Sequence, residues 1–190
     1  MSLLYIRKKI LPDDLFEDIL YDLNNISLWK DAEVYDSNPS KRGVNEGVRK
    51  TKLHAVEPEI YPEMDKYFRE LIHQWNYDLI PEEYYVRELS LLKYEKGDHF
   101  LKHLDRINDN NSPRIFSTTT VLTKSDDLEG GDFLVYPEGN SDAITVDLDV
   151  GETIFFDSAK TYHQVNKIKK GSRQVLVAWI HKRRYNKNTQ

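Results

Sequence analysis

The chain has 190 residues, with 39% hydrophobic and 31% charged content, a formal net charge of −5 and a pI near 5.7, which is enough chain for one domain with its own core. Cysteine is absent against twelve tyrosines, and this excludes disulfides, thiolate zinc sites and a cysteine nucleophile. The acidic balance argues against a general nucleic-acid binder, and no apolar run reaches signal-peptide length or the ~20 residues of a membrane span, so a soluble, cytoplasmic protein is expected.

Residues 3–10 alternate weakly and predict a first strand. Pro12-Asp13-Asp14 then mark a helix start, with proline in the first turn and acids at the positive end of the dipole. Leu15, Phe16, Ile19, Leu20 and Leu23 follow at helical spacing until Asn24-Asn25. Residues 28–36 predict a short strand. Ser37–Lys52 holds one proline, two glycines and five basic residues with almost nothing to bury. It reads as a mobile loop, either a solvated face or a lid over a site. A second helix is expected within 58–80, where Ile60, Met64, Tyr67, Phe68, Leu71, Ile72 and Trp75 make one apolar stripe and Pro58 and Pro62 suit the beginning. His73 lies off that stripe and is expected at the surface.

From Pro81 the texture turns to β. Runs at 84–94, 115–123, 132–136, 143–148, 152–157 and 173–181 are separated by turn residues at Lys96-Gly97, 108–113, Gly130-Gly131, 137–140 and Lys170-Gly171. Strands at this spacing predict a sandwich or barrel. The expected organisation is one domain over 1–190. Residues 1–80 are helical support carrying the 37–52 loop, 81–181 the β core, and 182–190 a polar tail expected to fray.

Chemistry concentrates in Leu91–Arg106, LLKYEKGDHFLKHLDR. On a strand, His103 and Asp105 project to one face. With His163 as third ligand they make a two-histidine, one-carboxylate set, which suits non-haem Fe(II) with open positions; zinc accepts the same set with a water. His99 shares the strand parity of His103 and is a rival ligand. Arg173 follows His163 by ten residues, in a run apolar on both faces, and shares its face with Val175, Val177 and Trp179. A guanidinium buried there needs an anion. Its planar fork suits a carboxylate, whether of a ligand or of an acidic side chain. His54 and His181 show no partner pattern.

The ordered set His103-x-Asp105, His163 and Arg173 resembles the Fe(II)/2-oxoglutarate dioxygenases. Tyr94-x-x-Gly97, Gly130-Gly131-Asp132-Phe133 and the run Gly151–Phe156 leading into Tyr162-His163 resemble the prolyl 4-hydroxylase branch, over roughly 88–181. The fold implied is mainly β with flanking helices: a double-stranded β-helix, the cupin-like jelly roll, braced by N-terminal helices. The resemblance implies Fe(II) on His103, Asp105 and His163 as the catalytic centre, and 2-oxoglutarate with its C5 carboxylate on Arg173. It further implies that Tyr94 lines the cosubstrate pocket and that a hydroxyl of the Thr118–Thr120 run, Thr119 foremost, assists. Some prolyl hydroxylases use a tyrosine on that strand, and 116–124 contains none. O2 is the second cosubstrate and ascorbate a candidate reductant.

The implied reaction is hydroxylation of a substrate C–H bond, with succinate and CO2 as coproducts. A peptidyl proline is the foremost substrate; a free amino acid, a small metabolite or a nucleic acid are alternatives. Trp179 stands where the demethylase branch carries a second arginine, which counts against nucleic acid. A cupin-like metal-binding protein without turnover, or a zinc hydrolase, leaves Arg173 without a role.

Overall fold

A computed structural model describes residues 5–35, 42–106, 114–136 and 142–183. The expected turns at 108–113 and 137–140, the 37–41 part of the loop and the tail from 184 lie outside these residues. In chain order the described elements are β1 (Tyr5–Lys9), α1 (Asp13–Asn24), β2 (Lys30–Asp31), β3 (Val34–Tyr35), β4 (Arg42–Gly43), β5 (Arg49–Lys50), β6 (Lys52–Val56), α2 (Met64–Trp75), β7 (Tyr84–Tyr94) and β8 (His99–His103). Then come β9 (Arg114–Lys124), β10 (Glu129–Gly130), β11 (Phe133–Tyr136), β12 (Ile144–Val146), β13 (Glu152–Asp157), β14 (Tyr162–Val165), β15 (Ile168–Lys170) and β16 (Arg173–Lys182). No described helix is long and apolar enough to cross a membrane.

Among the described residues the strands form a seven-stranded sheet in the order β1-β13-β9-β16-β7-β6-β2 and a five-stranded sheet in the order β12-β11-β14-β8-β5, with ribbons β10-β15 and β3-β4. This is the double-stranded β-helix that the resemblance implies. Two cores follow from strand parity. Leu176, Ala178 and Ile180 of β16 pack under the buried faces of α1 (Leu15, Ile19, Leu23) and α2 (Phe68, Leu71, Ile72). Val175, Val177 and Trp179 point the other way, into the space between the sheets, with Leu92, Val121, Phe133 and Phe156. Strand β16 is thus buried on both faces, as its unbroken apolar run predicts.

Strand β7 keeps its outer face apolar by a bulge. Trp179 pairs with Glu88 but Ile180 pairs with Val86, so Arg87 is an extra residue that reverses the alternation. Tyr84 and Val86 before it, and Leu89 and Leu91 after it, therefore all face the helices. Glu88, Ser90, Leu92 and Tyr94 are left on the inner side.

Four local expectations change. Ile60, placed in the α2 stripe, sits in a 3₁₀ turn (Pro58–Ile60) and is 57% exposed; the prolines delay the helix to Met64. The 28–36 strand is two short strands on either side of buried Ala32, whose N–H donates to the Thr51 carbonyl. The described part of the 37–52 loop is strand-paired rather than free. Strand β4 pairs with β3, β5 with β8, and the Thr51 hydroxyl donates to the Lys93 carbonyl at 2.7 Å. Arg49, counted as a solvated charge, is buried. Finally, 162–165 is a strand of its own, β14, between β11 and β8.

Candidate active site

The central strands of the smaller sheet bring the expected ligands together. His163 on β14 lies opposite His103, the last residue of β8. Asp105 lies in the bend just past the strand end, so β-pairing does not hold it. Its Oδ1 is nevertheless 3.5 Å from His103 Nε2 and 3.7 Å from His163 Nε2. The ligand atoms of all three residues lie within 4.8 Å of one another.

The rings are oriented from behind. His103 Nδ1 is 2.7 Å from the Leu101 carbonyl and His163 Nδ1 is 3.1 Å from the Thr161 carbonyl. A carbonyl only accepts, so each Nδ1 donates to it and each Nε2 is turned to the centre. Phe100 stacks on His103 at 3.5 Å between centroids, and Phe133 and Phe156 flank His163. Burial, with His103 beside it, pushes His163 down to about 4 against the attraction of Asp105, so the imidazole is neutral at pH 7. Burial alone would raise the Asp105 carboxyl. The neighbouring His163 and His103 and a hydrogen bond from Ser117 outweigh it and hold the carboxyl below the usual carboxylate range. A buried carboxylate oxygen with two imidazole Nε2 atoms beside it is a donor set that fits a divalent metal.

His99, the rival ligand by parity, lies outside this cluster, with its Nδ1 3.3 Å from the Gly97 carbonyl. The register explains the difference. His163 pairs with His103 but Val165 pairs with Phe100, so β8 carries an extra residue and the alternation breaks between His99 and His103. Phe100 takes the inward place instead.

Arg173 begins β16 between Tyr94 on β7 and Lys124 on β9. It is 4% exposed and its Nε has no hydrogen-bond partner. Its guanidinium carbon is 5.4 Å from the Tyr94 ring centroid. Burial lowers its pKa, with Tyr94 and Asp132 opposing. A narrow inner cavity runs from the metal-ligand cluster to Arg173, lined also by Tyr94 and Thr119. Of the three threonines, Thr118 bonds the Ala178 carbonyl and Thr120 bonds Thr153; Thr119 lines the cavity. A buried guanidinium with an orphaned N–H, on a cavity that also reaches the metal-ligand cluster, suits a carboxylate partner.

A second, wider cavity of about 740 Å³ opens on the other side of His103 and Asp105. Its wall holds a cluster that sequence reasoning missed. Glu88 accepts from Arg114 Nε at 2.8 Å and from Arg114 Nη2, and lies 3.0 Å from His181 Nε2. Arg114 lies 4.1 Å over the Trp179 ring. Burial alone would push Glu88 up; the bonds from His181 and Arg114 outweigh it and bring it down to about 2. The Arg173–Trp179 parity, carried two residues further, reaches His181. Glu88 and Arg114 need the β7 and β9 registers. Arg49 on β5 lines both cavities and lies 4.6 Å over Phe100.

Comparison with known proteins agrees with this geometry. Residues 89–181 match the family model of the 2OG-Fe(II) oxygenase superfamily. The PKHD-type hydroxylase of Gloeothece citriformis is 31% identical over 97 residues, 50% of this chain and 43% of its own. That of Prochlorococcus marinus is 39% identical over 96 residues, 50% of this chain and 42% of its own. The matched region is thus under half the length of these relatives. A prolyl-4-hydroxylase from Pseudomonas putida superposes with a TM-score of 0.71 at 19% identity, covering 94% of this chain and 92% of that one. A prolyl hydroxylase from Trichoplax adhaerens, in complex with a hypoxia inducible factor peptide fragment, gives 0.67 at 16% identity, covering 93% and 83%. The β core of this chain is thus similar to the 2OG-Fe(II) oxygenase superfamily over residues 89–181, and its fold is the one these prolyl hydroxylases share.

Proposed function

We propose that the protein is an Fe(II)- and 2-oxoglutarate-dependent dioxygenase that hydroxylates a peptidyl proline. The observation that carries the reading is the line from the His103–Asp105–His163 cluster through the inner cavity to the orphaned, buried Arg173. A metal-binding protein without turnover, or a zinc hydrolase, has no use for a buried cation on the same cavity. Bound Fe(II) with 2-oxoglutarate would let O2 act as the oxidant for C–H hydroxylation, one oxygen atom going to the substrate and the other to succinate, which would leave with CO2. The chain supplies the rest. Its His103, Asp105 and His163 would hold the metal and, as a three-ligand set, would leave positions for cosubstrate and O2. Arg173 neutralises the distal carboxylate of the cosubstrate, with Tyr94 and Thr119 beside it. Phe100, Phe133 and Val165 line the inner channel with apolar surface and exclude water from it. Ascorbate is the reductant we would include.

The wider cavity supports a peptide substrate. Its lip runs along β5, β6 and β7, and its wall presents the Trp179 indole, a flat apolar surface for a saturated ring. Arg114 and Glu88 neutralise each other there, so the wall selects by shape and hydrogen bonding rather than by net charge. The segment 42–52 borders it and is our candidate for closure over bound peptide.

Anaerobic reconstitution with Fe(II) and 2-oxoglutarate should give a visible metal-to-ligand charge-transfer band that His103→Ala abolishes. No band in the intact protein would sink the oxygenase reading. Succinate release over a panel of proline-containing peptides, with a mass increase of one oxygen on the peptide, tests the substrate. Stimulation by nucleic acids or free metabolites alone would overturn the peptidyl-proline assignment.

A further inference from the structure

The two histidines of the cluster are held in different ways. His163 is on β14, between β11 and β8. Its side chain is 7% exposed, and the rings of Phe133 and Phe156 lie beside it. His103 is the last residue of β8, and its side chain is 17% exposed. Its Nδ1 donates to the Leu101 carbonyl at 2.7 Å. That bond fixes the position of Nδ1 and leaves the ring free to turn about the Nδ1···O line. The side chain does not remove this freedom by itself, since the histidine χ2 torsion is broad. A metal ligand must be held to within about half an ångström, so a neighbour must set the plane of the ring.

Phe100 meets that need. Its ring stacks on the imidazole, with 3.5 Å between centroids and 19° between planes. The β8 bulge puts it there. Val165 pairs with Phe100 while His163 pairs with His103, so Phe100 shares a face with His103, where regular alternation would set them on opposite faces. Phe100 is held in turn from β5. Arg49 is its partner across the β5–β8 ladder and is 8% exposed. The guanidinium carbon of Arg49 lies 4.6 Å from the Phe100 ring centroid, the geometry of a cation over a ring face. Contacts thus pass from guanidinium to phenyl to imidazole, from the segment that borders the wider cavity to a metal ligand.

We propose, resting on the metal-site reading above, that Phe100, backed by Arg49, is a positioning residue that sets the plane of the His103 ring and so aims its Nε2 at the metal. The flat face of Phe100 does this and not its bulk, because only a planar neighbour fixes the plane of a second ring. The bulge in β8 then has a use: it brings an aromatic ring, and not His99, onto the inner face beside the ligand.

The test is calorimetric titration of Co(II) into metal-free protein, anaerobically and without 2-oxoglutarate, for the wild type, His103→Ala, Phe100→Leu, Phe100→Tyr and Arg49→Leu. Thermal melting of each metal-free protein is measured alongside. Phe100→Leu keeps an apolar side chain and loses the flat face. It should raise the Co(II) Kd about 10- to 100-fold, the usual effect of losing a residue that orients a ligand, while the metal-free melting temperature falls by only a few degrees. Phe100→Tyr keeps the ring and should bind Co(II) nearly as the wild type does. Arg49→Leu should raise the Kd less than Phe100→Leu, because Phe100 still stacks on His103; a larger rise there overturns the assignment to Phe100. An unchanged Kd in Phe100→Leu, with binding abolished in His103→Ala, overturns the positioning role and leaves the metal site standing. A Kd raised as much in Phe100→Tyr as in Phe100→Leu assigns the effect to packing and also overturns it. No Co(II) binding by the wild type overturns the metal site and the positioning role with it. Should Phe100→Leu fail to fold, Phe100→Met, whose flexible side chain fills the same space, takes its place with the same outcomes.

Discussion

Arg173 has a buried position and an unpaired Nε at once, a combination that costs free energy unless an anion arrives. Arg173→Ala should raise the 2-oxoglutarate concentration needed to develop the charge-transfer band by one to two decades, the loss of a charge-assisted pair of about 1.5–3 kcal/mol. Co(II) affinity without cosubstrate should stay as in the wild type; loss of metal instead would mean that Arg173 supports the ligand cluster. Arg173→Lys should recover only part, because a point charge lacks the planar fork. Glu88 gives a pH signature. Its folded pKa of about 2 lies below the ordinary 4.5, so its contribution to stability is fully present above about pH 4.5 and is lost as pH falls toward 2. Glu88→Gln cannot ionise. It should unfold at lower urea than the wild type at pH 7, and the gap should close between pH 4.5 and 2. A gap that persists at pH 2 would assign the effect to packing. His103, Asp105, His163, Arg173 and Tyr94 were legible because their order along the chain is a motif. Glu88 and Arg114 were not, because each is bonded to a partner at least 26 positions away.

At the scale of elements, length decided what could be read. Both helices and the long strands β7, β9 and β16 stand out by period or by continuous apolar content. Strands β5, β14 and β15 are two to four residues long and exist because a neighbour pairs with them. The bulges in β7 and β8 were equally invisible, since an extra residue shows only against its partner's register. The Gly130-Gly131 pair does carry a readable demand. Gly130 has φ +74, and a Cβ there would lie 2.4 Å from the Lys167 carbonyl oxygen, where β10 crosses β15. Gly130→Ala should cost about 1–3 kcal/mol, seen as a lower melting temperature. Gly97→Ala should cost less: its φ is also positive, at +94, but its Cβ would meet nothing nearer than Lys167 Cε at 3.9 Å.

At the scale of the molecule, the seven-stranded sheet is the shared wall of both cores. One face is covered by the helices and the other closes on the five-stranded sheet that carries the ligands. Metal should therefore stabilise the whole fold and not one loop, since His103 and His163 sit on paired strands of one sheet and the backbone after Asp105 is bonded to the turn following β13. At a hundredfold excess over Kd a bound metal adds about 2.7 kcal/mol, or about 5–10 °C in melting temperature for a chain of this size. Chelation should reverse the shift, and His103→Ala should show none. A shift retained in His103→Ala would place the bound metal elsewhere.

The sequence by itself determined the fold class, the two bracing helices and the ligand and arginine candidates. Strand and helix periods, and the order of a few chemically special residues, are local properties of the chain. Tertiary structure alone supplied the bulge that turns His99 away from His103, turned the 42–52 segment from a free loop into a paired one, and built the Glu88–Arg114–His181 cluster. Those features depend on register between strands distant in the chain, and register is set by which side chains can be buried together.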